Sequence, residues 1–142
     1  MRMNRREFLK TSAAASLAAY SAPAVLAQDK GKQQYATAII GCGWWGMNIL
    51  HEAIASGRCK VVAMCDVDAN QLDKAAADVE LKSGDKPRKY ADFREMLAWQ
   101  KPDLCIVATP DHWHPLCMIE AVKQGAHVYV EKPISHTVLV GA

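Results

Sequence analysis

The chain has 142 residues, of which 51% are hydrophobic and 23% are charged, the composition of a globular protein with room for one domain and its core. This composition excludes collagen-like, coiled-coil and intrinsically disordered proteins. The formal charge of +2 comes from residues 1–27, which hold four basic residues and one acidic residue, and the remaining 13 basic and 14 acidic side chains leave the rest of the chain at −1. No nucleic-acid partner is therefore expected.

The first 27 residues are predicted to be an export signal. Arg5 and Arg6 precede an Ala- and Ser-rich, weakly hydrophobic stretch at residues 11–26, and residues 25–27 suit a signal peptidase. The segment resembles twin-arginine (Tat) signals, which implies cleavage after Ala27, a periplasmic or extracellular protein, and no stable membrane association after cleavage. A short membrane anchor is the alternative, because this stretch approaches the length that spans a bilayer.

A polar linker at residues 28–34 leads into a body at residues 35–138, where short apolar runs alternate with segments of helical spacing. Strands are predicted at residues 35–40, 60–65, 89–90, 104–108 and 127–130. Helices are predicted at residues 44–56, 70–80, 92–99 and 115–123, with a loop at 83–87. This alternation predicts an α/β fold, a Rossmann-like doubly wound parallel sheet with helices on both faces.

The five cysteines favour a protein that folds under reducing conditions. Their number is odd, most of them lie in or beside apolar runs, and the sequence contains no Cys-x-x-Cys motif. Neither a disulfide framework nor a structural zinc site is expected.

A glycine motif, Gly41-Cys42-Gly43-Trp44-Trp45-Gly46, connects the first strand to the first helix. In a dinucleotide-binding turn the first glycine permits the tight turn, the second lets the backbone approach a pyrophosphate, and the third lets the helix pack on the strand. The helix N-terminus then offers N–H donors to the anion. We expect all six residues to line a bound dinucleotide.

Asp66 ends the second strand, twenty residues after the last glycine of the motif. A carboxylate there would accept hydrogen bonds from the ribose hydroxyls and would repel a 2′-phosphate, and residues 67–70 offer no arginine to neutralise one. The cofactor is therefore predicted to be NAD, with NADP less favoured. Alternatively, Asp66 or Asp68 caps the helix that begins near Asn70.

Two further loops follow the fourth and fifth strands. Thr109 and Pro110 begin the first loop, and in a doubly wound sheet they would lie beside the glycine turn, along the nicotinamide half of the cofactor. The alternatives for this loop are a metal site at Asp111, His112 and His114, or histidines that only cap the next helix and pack against Trp113; no metal site is predicted.

The second of these loops contains Glu131-Lys132-Pro133. A lysine beside a nicotinamide can hydrogen-bond a substrate hydroxyl and favour the charge that develops during hydride transfer, although spacing alone fits a surface lysine equally well.

Together these motifs resemble the N-terminal domain of the glucose-fructose oxidoreductase, inositol dehydrogenase and rhizopine-catabolism family (Gfo/Idh/MocA), over about residues 34–138. The resemblance implies NAD(P)-dependent oxidation of sugars or polyols. It also implies that Asp66 and the motif glycines bind the dinucleotide, that Thr109, Pro110, His114 and Glu131 lie at the cofactor, and that Lys132 both touches the cofactor and is catalytic.

In that family a second α+β domain follows and brings further acid/base residues, whereas residues 139–142 would only begin the connection to it. We therefore expect this chain alone to bind nucleotide weakly, to turn over little or not at all, and to form oligomers only with such a domain. Two alternatives are an NAD-dependent glycoside hydrolase that works through transient oxidation and elimination, and a nucleotide-binding module without catalysis.

Overall fold

The computed structural model describes residues 33–135 and 137. The predicted signal at 1–27, most of the linker and the end of the chain lie outside the described residues. The strands are β1 (Tyr35–Ile40), β2 (Cys59–Cys65), β3 (Arg88–Tyr90), β4 (Leu104–Val107) and β5 (His127–Val130). The helices are α1 (Trp44–Ala55), α2 (Ala69–Ser83), α3 (Phe93–Gln100) and α4 (His114–Lys123), with a 3₁₀ turn at Asp111–Trp113.

The five strands form one parallel sheet in the order β3-β2-β1-β4-β5. The chain runs outward from β1 to β3, then returns to place β4 on the other side of β1, so β1 and β4 flank the point where the strand order reverses. Ile40 pairs with Val107 and Val107 pairs with Val130, so the carboxyl ends of β1, β4 and β5 are level. The loops after these three strands therefore begin side by side.

Residues of the sheet face two separate hydrophobic layers, because successive strand residues point to opposite faces. Ile39 packs with residues of α1 and α2, whereas its neighbours Ala38 and Ile40 pack with residues of α3 and α4. Burial on both faces explains why β1, β2 and β4 are almost continuously apolar. The predicted Rossmann-like doubly wound fold is thereby confirmed.

The predicted boundaries differ from the structure by a few residues at several ends. Helix α2 continues to Ser83, which the sequence had placed in a loop, and ends where Gly84 adopts a left-handed conformation (φ 77°). The 3₁₀ turn before α4 was not predicted. Asp68 does cap α2, accepting hydrogen bonds from the backbone N–H groups of Asn70 and Gln71, and Asp92 caps α3 in the same way through Arg94.

Within the described part of the chain, none of the helices has the length and apolar character needed to span a membrane.

Candidate functional site

The glycine turn is held against the loop after β4 by contacts that admit no side chain at two positions. Gly41 has φ +92°, and a Cβ there would lie 2.6 Å from the carbonyl oxygen of Ala108. A Cβ on Gly46 would lie 2.2 Å from the carbonyl oxygen of Gly41 and 3.1 Å from the Ala108 Cβ. The first and third glycines therefore let α1 start directly against the strands.

Gly43 differs from both, because a Cβ built on it meets no atom within 4 Å. It is the N-cap of α1, where no side chain forms a capping hydrogen bond and no acidic residue lies in the first turn. The first hydrogen bond of the helix runs from Met47 N to Gly43 O at 3.0 Å, so the N–H groups of residues 44–46 precede the helical ladder. Open space over uncapped donors fits the approach of a pyrophosphate.

Asp66 is fixed beside this turn at the end of β2. Its Oδ2 accepts a hydrogen bond from Cys42 N at 2.7 Å and its Oδ1 accepts one from Asp68 N at 2.9 Å. Gln71 reaches back from α2 and donates from Nε2 to Cys42 O at 2.7 Å. A carboxylate has about four acceptor positions, so Asp66 keeps capacity for ribose hydroxyls.

Gln71 was missed by the sequence reasoning, and its only signal was a polar residue in the first turn of α2.

A cavity of about 380 Å³ lies beside Asp66 and is lined mostly by apolar groups. Val67, Pro110 and Trp113 contribute to it, together with Phe93 and Arg94 of α3, whose guanidinium carbon lies 4.4 Å from the Phe93 ring centre. An apolar slot with one cationic side chain in its lining can hold a heteroaromatic base. Phe93 and Arg94 were not predicted as site residues.

A second cavity, of about 470 Å³, extends from the glycine turn to the loop after β5. It is lined by the motif residues Gly43, Trp45 and Gly46, by Ala108, Thr109, Pro110, Asp111 and His114, and by Glu131 and Lys132. Four residues line both cavities: Gly43, Ala108, Thr109 and Pro110. The structure thus brings the glycine turn, Asp66 and both predicted loops to one edge of the sheet, as level strand ends require.

Cys42 and Trp44 have different surroundings from the rest of the motif. The Cys42 side chain is fully buried in the layer beneath α1, so only its backbone faces the turn. The Trp44 side chain is 76% exposed, and its ring centre lies 5.5 Å from that of Trp45.

His114 is the first residue of α4 and is only 3% exposed. Its Nδ1 lies 2.8 Å from the carbonyl oxygen of Pro133, and its Nε2 lies 2.8 Å from that of Thr109. The ring therefore links the loop after β4 to the loop after β5, with both nitrogens directed at backbone oxygens.

The alternative metal site gains no support from this geometry. Both nitrogens of His114 face carbonyl oxygens, and no group of three metal-ligating side chains occurs among residues 33–135 and 137. The capping alternative is wrong, because no side-chain hydrogen bond caps α4. His112 does pack beside Trp113, with ring centres 6.2 Å apart.

Two ionisable side chains at the end of β5 are hydrogen-bonded to each other. Tyr129 donates a hydrogen bond from its hydroxyl to Glu131 Oε1 at 2.7 Å, and this bond raises the pKa of Tyr129. Lys132 follows directly and precedes a cis peptide bond to Pro133. Glu131 is thus engaged with its own strand, while Lys132 lines the second cavity.

The cysteines are free and buried, and none of them is poised as a nucleophile. Burial raises the pKa of the Cys105 thiol to about 12, and burial together with the charge of Asp66 raises that of Cys42 to about 12. Burial likewise raises the pKa of Cys65 to about 12 and that of Cys117 to about 11. These thiols stay protonated at neutral pH, so thiolate chemistry is not available at the site.

Comparison with known proteins agrees with this geometry. Residues 35–139 match the family model described as "Oxidoreductase family, NAD-binding Rossmann fold". The chain is 32% identical to a protein of Saccharopolyspora erythraea named "Glycosyl hydrolase family 109 protein", over 95% of this chain and 34% of that protein. The chain thus spans about a third of the length of that curated relative.

Solved structures of dehydrogenases share the fold. The WlbA dehydrogenase from Bordetella pertussis, in complex with NADH and UDP-GlcNAcA, is 29% identical with a TM-score of 0.65, over 77% of this chain and 31% of that one. The myo-inositol 2-dehydrogenase from Lactobacillus plantarum is 27% identical with a TM-score of 0.65, over 76% of this chain and 31% of that one. The chain belongs to the Gfo/Idh/MocA oxidoreductase family, through its NAD-binding Rossmann fold.

Proposed function

We propose that NAD lies across the two cavities and that the protein oxidises or reduces a sugar or polyol. The observation that carries this proposal is the uncapped start of α1 above the open space at Gly43, with Asp66 on one side and Lys132 on the other. In this arrangement the pyrophosphate lies on the N–H groups of residues 44–46, and the adenine occupies the slot beside Arg94.

Asp66 supports the preference for NAD over NADP. Its carboxylate is held at the end of β2 by two backbone N–H groups, where it would accept the hydroxyls of the adenosine ribose. A 2′-phosphate at the same place would meet this negative charge. Arg94 lines the same cavity but lies on α3, where its guanidinium also pairs with Asp92 at 3.5 Å.

The other cavity provides the reaction site in this proposal. The nicotinamide ring supplies hydride acceptance and return when NAD is bound. Trp45, Thr109 and Pro110 would enclose that half of the cofactor, and the Lys132 ammonium would donate a hydrogen bond to the substrate oxygen whose charge changes during the transfer. Glu131 accepts a hydrogen bond from Tyr129 and directly precedes Lys132.

Isothermal titration with NAD, NADP and ADP-ribose tests the binding half of the proposal. We expect NAD and ADP-ribose to bind more tightly than NADP, and we expect Gly43→Ala to weaken all three without unfolding the chain. Absence of binding by a correctly folded chain would refute the proposal.

Glycoside hydrolysis is a second candidate, favoured by the name of the curated relative at 32% identity. Both reactions use the same NAD site, so the products distinguish them. Net formation of NADH with a sugar or polyol supports the dehydrogenase, and release of p-nitrophenol from a nitrophenyl glycoside without net NADH supports the hydrolase. Binding of NAD without either product would indicate a nucleotide-binding module.

We also propose that residues 1–27 direct export by the Tat pathway to the periplasm or beyond. The support is the sequence pattern of Arg5 and Arg6 before the stretch at residues 11–26. In a Tat-competent bacterium, replacing both arginines by lysine should block export, and N-terminal sequencing of the exported wild-type chain should begin at Gln28. Export that survives the double replacement contradicts this proposal.

A further inference from the structure

The ring of His114 faces two hydrogen-bond acceptors and no donor among its bonded partners. Both partners are backbone carbonyl oxygens, of Thr109 and of Pro133, and each lies 2.8 Å from a ring nitrogen. A neutral imidazole has one N–H and one lone pair, so it satisfies one carbonyl and points a lone pair at the other. Either tautomer donates a hydrogen bond to one of the two carbonyls and keeps the other in contact with the ring.

The two bonded oxygens belong to the loops that form the walls of the second cavity. Thr109 follows β4, and Pro133 comes directly after Lys132. Thr109 lies five residues before His114 in the same loop, whereas Pro133 lies 19 residues after it, so the contact with Pro133 is the one that joins a separate segment. His114 itself is 3% exposed, whereas Thr109 is half-buried and Pro133 is exposed, so the imidazole is the buried partner in both contacts.

We infer that His114 is a positioning residue, whose ring lies as a clamp between the carbonyl oxygens of Thr109 and Pro133 and so fixes Lys132 relative to the nicotinamide end of the cleft. The inference rests on the proposed function for the role of Lys132, whereas the clamp itself rests on the two contacts of the ring nitrogens. It differs from the expectation that His114 touches the cofactor, since its ring nitrogens are directed at the protein backbone.

Hydrogen exchange tests whether the clamp holds the loops. In His114→Phe, which keeps a ring but has no donor, we expect exchange at residues 109–113 and 131–135 to rise about tenfold, while β1 and β2 keep wild-type rates. His112→Phe is the matched control and should leave both segments unchanged, because the His112 side chain is 62% exposed. Unchanged loop exchange in His114→Phe overturns the clamp, and faster exchange throughout the sheet shows a general loss of stability instead.

The fluorescence emission of bound NADH tests whether the clamp affects the nicotinamide end of the cleft. We expect wild-type chain to enhance nicotinamide emission, and His114→Phe to lose at least half of the enhancement at saturation while the affinity for ADP-ribose changes less than threefold. Full enhancement in the variant, or equal loss of ADP-ribose affinity, contradicts a positioning role. If wild-type chain binds no NADH, the proposed function fails together with this role, whereas the exchange result still decides whether the clamp exists.

Discussion

Replacing Gly46 by alanine is expected to destabilise the fold through one backbone contact. The added Cβ would lie 2.2 Å from the Gly41 carbonyl oxygen, whereas ordinary contacts begin at 3.4 Å, so the helix and the turn must separate by more than ~1 Å. Neither atom can move aside by a rotamer change, because both are fixed to the backbone. Overpacking of this kind costs about 3 kcal/mol, and the better helix propensity of alanine offsets about 1 kcal/mol.

The expected net loss is therefore about 2 kcal/mol, which lowers the melting temperature by roughly 10 °C in a domain of this size. Gly43→Ala is the matched control, since its Cβ meets nothing within 4 Å and its φ of −67° suits any residue. We expect this second variant to melt within about 4 °C of wild type, because only a weak N-cap preference is lost. Thermal unfolding followed by circular dichroism measures both.

The two variants should show the opposite order when NAD binding is measured by titration. A methyl group at residue 43 occupies the space that the pyrophosphate would enter, so we expect at least a tenfold loss of affinity in a chain that remains folded. A Gly46→Ala chain that melts like wild type would refute the close-packing argument. A folded Gly43→Ala chain with wild-type affinity would refute the placement of the pyrophosphate.

Three further predictions concern the charge beside the ribose, the buried thiols and the catalytic group. Asp66→Asn keeps an acceptor for Cys42 N but removes the negative charge, so the ratio of NADP to NAD affinity should rise about tenfold in titrations; an unchanged ratio would show that Asp66 does not select the cofactor. Burial raises the pKa of Cys105 to about 12 from an ordinary value of 9.0, so the folded chain keeps this proton at pH values where the unfolded chain loses it. The resulting stability is complete below pH 9 and is lost as the pH rises from 9 towards 12. The melting temperature should therefore fall between pH 8 and pH 10.5, and by less in Cys105→Ala; an equal fall in both would contradict this account. Lys132→Met should leave the dissociation constant of NAD within about threefold of wild type. In any preparation that oxidises a sugar or polyol, the same change should lower the rate of that oxidation about 100-fold or more, and an unchanged rate would exclude the lysine from the reaction.

The sequence predicted features that depend on near neighbours in the chain better than features that depend on distant contacts. The strands and helices were recovered because apolar periodicity is local, and Asp68 and Asp92 stand directly before the helices that they begin. The end of α2 was misplaced because Ser83 and Gly84 read as loop residues, although Gly84 in fact ends the helix by adopting a positive φ. The 3₁₀ turn at Asp111–Trp113 left no periodic signal because it is only three residues long.

Site residues were foreseen where a motif fixes them, and missed where packing brings them in. Gly41, Gly43 and Gly46 were predicted from their spacing, and the close contacts at two of them explain that spacing. Phe93 and Arg94 were missed because α3 reaches the Asp66 cavity only after the chain crosses to the other face of the sheet. Gln71 was missed because its bond to Cys42 spans 29 residues.

By itself, the sequence determined the order of the elements, the glycine turn and the acidic end of β2, because these depend on residues close together in the chain. Only the tertiary structure decided that Cys42 N holds Asp66 in place, that Arg94 lies beside it, and that His114 joins the loops after β4 and β5. Those contacts depend on strand register and on which face each helix covers, and both are settled by the burial of apolar surface across the whole sheet.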